Sequence, residues 1–89
     1  MYTITYDVES YNYLSDDYDY DCITYSIDLQ ELMQCIYYYM LDKTGDAKEA
    51  EKLKQQIYDE GIYDKFFDEH YNYVKNYFEN DAYEYYKNY

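Results

Sequence analysis

The tyrosine content most constrains what this chain can fold into. Leu, Ile, Val and Phe together make up only 16 of the 89 residues, whereas Tyr alone contributes 19. Combined with a formal net charge of −13, so few aliphatic side chains are typical of a disordered chain. A buried Tyr, however, removes as much apolar area from water as other large side chains do. The sequence also has no Pro and only two Gly, which favours a folded domain with a core built largely from Tyr.

The length and the hydropathy pattern predict one domain over residues 1–89. A domain of this size buries roughly 60–65% of the surface that its unfolded chain exposes, so its core is small. The longest mainly apolar run, residues 36–41, is too short to span a bilayer, and no signal peptide is recognised. We therefore expect a cytoplasmic protein in which Cys22 and Cys35 stay reduced and pack as small apolar groups.

The charge is segregated along the chain. Residues 1–42 contain nine acidic residues and no Lys or Arg, whereas residues 43–54 carry four Lys and three acids. Residues 55–89 are acidic again, with eight acids and three Lys, and the chain has no Arg. Nucleic acids and anionic lipids would repel such a chain, because their binders supply Lys and Arg. The predicted partner is instead a basic protein surface, towards which acidic proteins are steered electrostatically.

Two segments near the N-terminus alternate apolar and polar residues, as half-buried strands do. Residues 1–8 and residues 21–27 show this pattern, and we expect them to pair as antiparallel strands. The connection between them is long for a hairpin, so a third short strand over residues 11–14 is an alternative. The sequence therefore predicts a small sheet of two or three strands.

Helices are predicted over the rest of the chain, which places the protein in the α+β class. Asp28 with Glu31, and Asp46 with Glu49, have the spacing of capping boxes. They predict helices over about residues 29–43 and 47–60, each ended by a glycine. A third helix is expected over residues 62–79, and Asp81 is a candidate cap for a short fourth. The predicted apolar faces are Leu29, Leu32, Met33, Ile36 and Met40; Ala50, Leu53, Ile57 and Tyr58; and Tyr63, Phe67, His70 or Tyr71, Val74 and Phe78.

The segment DDYDYD, residues 16–21, forms a regular acidic row if the second strand extends back to Asp17. Side chains on one face of a strand recur about every 6.8 Å, twice the rise per residue. The row Asp17, Asp19 and Asp21 would then continue the apolar face of the strand, while Tyr18 and Tyr20 project from the other face. A second row is expected at the outer face of the third helix, with side chains about 5–6 Å apart, from Glu60, Asp64 and Asp68.

Regular negative charges on rigid elements resemble the phosphates of a nucleic-acid backbone. Tyr is enriched at protein interfaces because it offers a large contact area and a hydroxyl at low entropic cost. We therefore predict that a basic partner binds the acidic rows together with the neighbouring rings. The candidate partner-binding residues are Asp16, Asp17, Tyr18, Asp19, Tyr20, Asp21, Glu60, Asp64 and Asp68.

The small size, the strong negative charge and the segment DDYDYD resemble the inhibitors that phages and mobile elements direct against host nucleases. That class includes anti-CRISPR proteins and DNA-mimic anti-restriction proteins. The resemblance implies a protein of the host bacterial cytoplasm that occupies a basic nucleic-acid channel, and a CRISPR effector nuclease is the target that we favour. The alternative is an acidic interaction or self-assembly module without inhibitory activity, and a homodimer is compatible with either.

A calcium site is a further alternative for the acidic segment. Asp17, Asp19, Asp21 and Asp28 match positions 1, 3, 5 and 12 of an EF-hand loop. Cys22, however, stands where that loop needs Gly, and the segment has the pattern of a strand. The sequence therefore favours a protein without a bound metal or other cofactor.

Catalysis is disfavoured by the same residues. The single histidine, His70, falls within the third predicted helix. A histidine in such a position is more often packed against its neighbours than used as a general base. No glycine-rich phosphate loop or nucleophile motif is present, and the many carboxylates make any one pair unspecific as an acid–base signal. We expect a binding protein and not an enzyme.

Overall fold

In the computed structural model, which describes residues 1–87, a two-stranded antiparallel sheet precedes five helices. The order confirms the α+β class, although it gives one helix more than the three or four predicted. The molecule is elongated, with principal extents of 54 × 25 × 23 Å. The elements are β1 Tyr2–Asn12, β2 Asp17–Ile27, α1 Leu29–Thr44, α2 Ala47–Glu60, α3 Tyr63–Glu69, α4 Tyr71–Tyr77 and α5 Glu79–Lys87.

The hairpin is longer than its alternating sequence predicted. β1 continues to Asn12, so the segment considered as a third strand is partly the end of β1 and partly the turn. The turn, residues 13–16, is stabilised by the Leu14 N–H, which donates to the Asn12 side-chain oxygen at 2.9 Å. Asp16 closes it with a left-handed backbone, φ 52°, a conformation that Asp tolerates better than most residues do.

One face of the hairpin, at the end away from the turn, forms the sheet side of the core. Ile4, Tyr6, Ile23 and Ile27 are buried there, in agreement with the predicted alternation. Tyr6 is only 2% exposed, and its hydroxyl donates to the main-chain carbonyl of Lys75 at 2.6 Å. Further Tyr rings pack half-buried around this core: Tyr2, Tyr25, Tyr39, Tyr63, Tyr71, Tyr73, Tyr77 and Tyr83.

The helix α1 begins and ends where the sequence predicted. The Glu31 N–H donates to Asp28 at 2.8 Å, and the Asp28 N–H donates to Glu31 at 3.2 Å, which completes the capping box. Gly45 then ends the helix in the left-handed region, φ 69°. Burial raises the pKa of the Cys35 thiol, within this helix, to about 12.

The helix α2 departs from the prediction in its cap and in part of its packing. Asp46 accepts from the Lys48 N–H at 2.9 Å without the reciprocal bond of a capping box. Ala50 and Ile57 are buried as expected, but Tyr58 is exposed.

The two cysteines differ in burial, although both were expected to pack as small apolar groups. Cys35 in α1 is buried, whereas Cys22 in β2 is exposed. Cys22 lies on the face of β2 opposite the core, which explains its exposure.

The prediction of a single third helix over residues 62–79 is wrong, because the chain bends at His70 and at Phe78. Both residues leave helical geometry, with φ −116° and ψ 33° at His70 and φ −96° and ψ 6° at Phe78. Hydrogen bonding nevertheless continues through the first bend, where the Val74 N–H donates to the His70 carbonyl at 3.0 Å. The result is three short helices, and α5 begins at Glu79, two residues before the cap predicted at Asp81.

The buried positions of these three helices recur every fourth residue. Phe66, Val74, Phe78 and Ala82 are buried, and His70 is half-buried in the same series. On a straight helix such a row would turn about 40° round the axis at each step, since 3.6 residues make one turn. The bends let each short helix direct its own part of the row to the core. Tyr63 and Phe67, which the prediction placed on the inner face, are half-buried beside this row, as is Tyr71, the predicted alternative to His70.

Candidate functional site

The end of the hairpin that includes the turn extends beyond the helices. The strand β1 contacts α3 through the Tyr2 ring, α4 through the main-chain N–H of Thr5, which donates to a tyrosine hydroxyl of that helix, and α5 through the Tyr6 ring. The three helices therefore follow the strand towards the turn. Beyond Val8 the covering ends, and every side chain over residues 13–22 is exposed. We call residues 9–22 the finger. It contains five acidic residues and no Lys or Arg.

One face of the finger carries a row of carboxylates. Because β2 begins at Asp17, the predicted extension of this strand is confirmed. Alternation along the strand puts the acids on the same face as the buried Ile23 and Ile27, about 6.8 Å apart. Across the ladder they stand opposite Asn12, Ser10 and Val8. The row, which we call the acidic face, is Asp17, Asp19 and Asp21.

Four of the five carboxylates of the finger, those of residues 16, 17, 19 and 21, are held by neutral hydrogen-bond donors. A carboxylate offers about four acceptor sites, so one such bond orients the group and leaves it able to bind a partner. The donors are the Tyr18 N–H to Asp17 at 2.7 Å, the Cys22 N–H to Asp21 at 3.0 Å, the Asn12 amide to Asp19 at 3.1 Å and the Tyr11 hydroxyl to Asp16. None of these donors carries a charge.

The negative charge of the finger is therefore not compensated within the part of the chain that the structure describes. Over residues 1–87, the ion pairs are Lys54 with Glu51 at 2.9 Å and Lys65 with Glu69 at 3.9 Å, both in the helical part. The hydrogen bond to Asp16 raises the pKa of Tyr11, because ionised Tyr11 could not donate it. The Tyr11 hydroxyl thus remains a neutral donor at physiological pH.

The opposite face of the finger is aromatic. Tyr11 pairs with Tyr18 across the ladder, with ring centroids 5.4 Å apart, and Tyr13 packs edge-on against Tyr11 at 5.3 Å. Tyr18 is 52% exposed and Tyr20 is 76% exposed. Glu9, opposite Tyr20, adds one acid to this side. We call Tyr11, Tyr18 and Tyr20 the aromatic face.

Sequence reasoning missed Tyr11 and Tyr13 as members of this surface. The segment YNY alternates, but the prediction places it in a connection, with a third short strand over residues 11–14 as an alternative, and does not extend β1 into it. A four-residue turn over residues 13–16 fixes the register that brings Tyr11 opposite Tyr18. The predicted extension of the second strand back to Asp17 implies a partner strand that reaches Asn12, and pairing the two would have placed Tyr11 opposite Tyr18.

The second predicted acidic row is not formed. Glu60 is the last residue of α2, and Gly61, with φ 67°, redirects the chain before α3 begins. Only Asp64 and Asp68 share a helix at the expected spacing, so the prediction of a row of three is wrong.

The remaining acids of that row also lie far from the acidic face. Asp64 accepts a hydrogen bond from the Tyr2 hydroxyl, and Tyr2 pairs with Ile27 at the end of the hairpin away from the turn. Ten residues of extended strand separate Tyr2 from Asn12 beside the turn, or about 33 Å. The nine predicted residues therefore form two separate groups, and only the six from Asp16 to Asp21 belong to the finger.

The geometry of the acidic segment differs from that of an EF-hand loop. Asp17, Asp19 and Asp21 follow an extended strand, whereas the ligands of such a loop converge on one ion. Within residues 1–87, no group of three or more His, Cys, Asp and Glu side chains is placed to hold a metal ion. His70 packs between rings, with centroid distances of 4.6 Å to Phe66 and 4.7 Å to Tyr39.

Comparison of this chain with protein-family models, with curated proteins and with solved structures finds no match. None of the helices described over residues 1–87 has the length and apolar character needed to cross a membrane. The geometry and the charge of the finger are therefore the features that indicate a function.

Proposed function

We propose that this protein inhibits a host defence nuclease, with a CRISPR effector as the favoured target, by placing its finger in a basic nucleic-acid-binding groove. The carboxylates of the acidic face would take the positions of phosphates, and nucleic acid would be excluded from the groove. One observation carries the proposal: three carboxylates line one face of a rigid ribbon and are held only by neutral donors. The target class comes from the resemblance of size, charge and the segment DDYDYD.

The charge of the finger is unfavourable for the free protein. Neighbouring carboxylates repel one another, and no Lys or Arg of the finger offsets this repulsion. A groove that supplies Lys and Arg would relieve the repulsion and release counterions, as nucleic-acid binding does. The association should therefore be fast at low salt and weaken steeply as salt rises.

The shape of the finger suits entry into such a groove. Neighbouring strands lie about 4.8 Å apart, and a two-stranded ribbon fits inside the major groove of B-DNA, so the finger is narrower than the duplex that a protein groove for nucleic acid accommodates. The ladder continues to Asn12 and Asp17, which keeps the ribbon rigid up to the turn. The partner would thus meet a preformed surface, which reduces the entropy lost on binding.

The first test is an affinity capture of proteins from nuclease-treated bacterial lysate, at low salt and again near 0.5 M salt, where charges are screened within a few ångströms. We expect one nucleic-acid-binding nuclease to be retained at low salt and displaced by added DNA or guide RNA. The same nuclease should lose its cleavage activity when the protein is added.

Two charge-matched variants make this test specific to the finger. Asp17→Asn, Asp19→Asn and Asp21→Asn together should abolish capture and inhibition, since Asn can accept the same hydrogen bonds without the charge. The control changes the net charge equally at exposed helical sites, with Asp42→Asn, Glu49→Gln and Glu84→Gln, and should retain both activities. Equal loss in both variants, or capture of an unspecific set of basic proteins, would contradict the proposal and favour the interaction-module alternative.

A further inference from the structure

The strand β2 carries a repeating unit of one charge and one ring within the finger. From Asp17 to Asp21, acids and tyrosines alternate, so the carboxylates project from one face and the rings from the other. Each unit is two residues, or about 6.8 Å, long. An extended single strand of nucleic acid has the same composition per unit, with one phosphate on one side and one base on the other.

A duplex presents a different surface. Its bases are stacked inside the helix, and its outer surface shows phosphates along both strands. The finger instead exposes its rings: Tyr20 is 76% exposed, and Tyr18 is 52% exposed. Proteins that bind single strands use a positively charged groove that follows the backbone and aromatic side chains on which the bases stack. Both faces of the finger thus match features of a groove for single strands.

We propose that the finger fits a groove that binds single-stranded nucleic acid, with Lys or Arg along one wall and aromatic side chains along the other. This inference rests on the proposed function, because it assumes that the finger is the element that binds. It adds that Tyr18 and Tyr20 occupy base positions while Asp17, Asp19 and Asp21 occupy phosphate positions. The acidic face supplies the charge complementarity to the first wall, and the aromatic face supplies stacking on the second.

The test uses two defined probes. One is a bacterial single-stranded-DNA-binding protein of the OB-fold type, loaded with fluorescent oligo(dT), and the other is a basic duplex-binding protein loaded with a fluorescent duplex. Added protein should displace the oligo(dT) at a concentration at least tenfold lower than the duplex requires. Because each base position that loses its stacked ring weakens binding, Tyr18→Ile with Tyr20→Ile should raise the required concentration by about tenfold or more.

A matched control separates the finger from general aromatic character. Tyr58 and Tyr86 are 50% and 42% exposed on helices, so Tyr58→Leu with Tyr86→Leu should leave the displacement unchanged. Each variant is first shown to unfold cooperatively. Equal displacement from both probes, no displacement of oligo(dT), or an unchanged result for the Tyr18 and Tyr20 variant would overturn the inference.

The two proposals can fail separately. A captured nuclease that is released by duplex DNA and not by oligo(dT) would support the proposed function and overturn this inference. Displacement of oligo(dT) that depends on Tyr18 and Tyr20, without capture of any nuclease, would support the inference about the groove and contradict the choice of target.

Discussion

The two ends of the hairpin share one backbone pattern and differ in what covers it. At the end of the hairpin away from the turn, which we call the covered end, Ile4 and Ile23 lie on the face that the helices bury. In the finger, the same face of β2 carries Asp17 and Asp19, and none of the helices described over residues 1–87 covers it. The ladder of β1 and β2 runs through both ends without interruption. Pairing between β1 and β2 alone therefore keeps the finger extended, whereas burial of the covered end stabilises the fold.

This difference separates stability from binding. A face of carboxylates contributes repulsion and no buried apolar area, so the sequence of the finger is not explained by the stability of the fold. Changes at the covered end should act on unfolding, and changes in the finger should act mainly on partners. Four measurements test this division.

The largest expected effect comes from the core. Ile36 is fully buried in α1, so Ile36→Ala should lower the free energy of unfolding by about 2–5 kcal/mol through lost contacts and a cavity. Leu14, at the turn, is 99% exposed, and Leu14→Ala should change the free energy of unfolding by less than about 0.5 kcal/mol. Urea titration followed by circular dichroism measures both. A large loss for Leu14→Ala would show that the turn supports the fold.

Alkaline pH should destabilise the covered end next. Desolvation by burial raises the pKa of Tyr6, Tyr25, Tyr73 and Tyr77 above the ordinary value of 10.0. The unfolded chain therefore loses tyrosine protons before the folded chain does, and stability falls as pH rises beyond about 10. The loss of stability is measured as the urea midpoint at pH 8 and at increasing alkaline pH. The absorbance of tyrosinate, recorded in parallel, reports the ionisation of the tyrosines. A midpoint independent of pH in that range would contradict the burial of these hydroxyls.

A smaller effect should distinguish a buried tyrosine hydroxyl from an exposed one. Tyr6→Phe leaves the Lys75 carbonyl without its donor and should cost about 1 kcal/mol of unfolding free energy. Tyr20→Phe, on the exposed aromatic face, should leave that free energy unchanged. Thermal unfolding of the two variants beside the parent chain makes the comparison. Equal losses would mean that the finger packs on the core in solution.

The smallest effect should come from the charges of the finger, and its sign is opposite. Asp17→Asn, Asp19→Asn and Asp21→Asn together should raise the free energy of unfolding by a few tenths of a kcal/mol per relieved pair. The gain should shrink as salt is added, because salt screens the repulsion. Melting at low and high salt measures it, with the Asp42, Glu49 and Glu84 variant as the charge-matched reference. Destabilisation by the finger variant would show that its carboxylates support the hairpin.

Much of the local structure could be predicted from the sequence. The alternation of apolar and polar residues identified both strands, and the spacing of Asp28 and Glu31 identified the start of α1. The alternation within residues 16–21 also predicted that carboxylates and rings lie on opposite faces. These features depend on neighbours a few residues away, so a short segment contains the information for them.

Local sequence is thus sufficient for the local periods, the capping box of α1 and the charge of the finger. Three features depend on tertiary packing. The helices cover only part of the hairpin, the predicted third helix bends at His70 and Phe78, and Asp64 lies far from Asp17. The same packing also buries Phe66 and leaves Phe67 half-buried. These outcomes depend on which side chains, distant in the sequence, are buried together in a small core. The spacing of nearby residues does not contain that information.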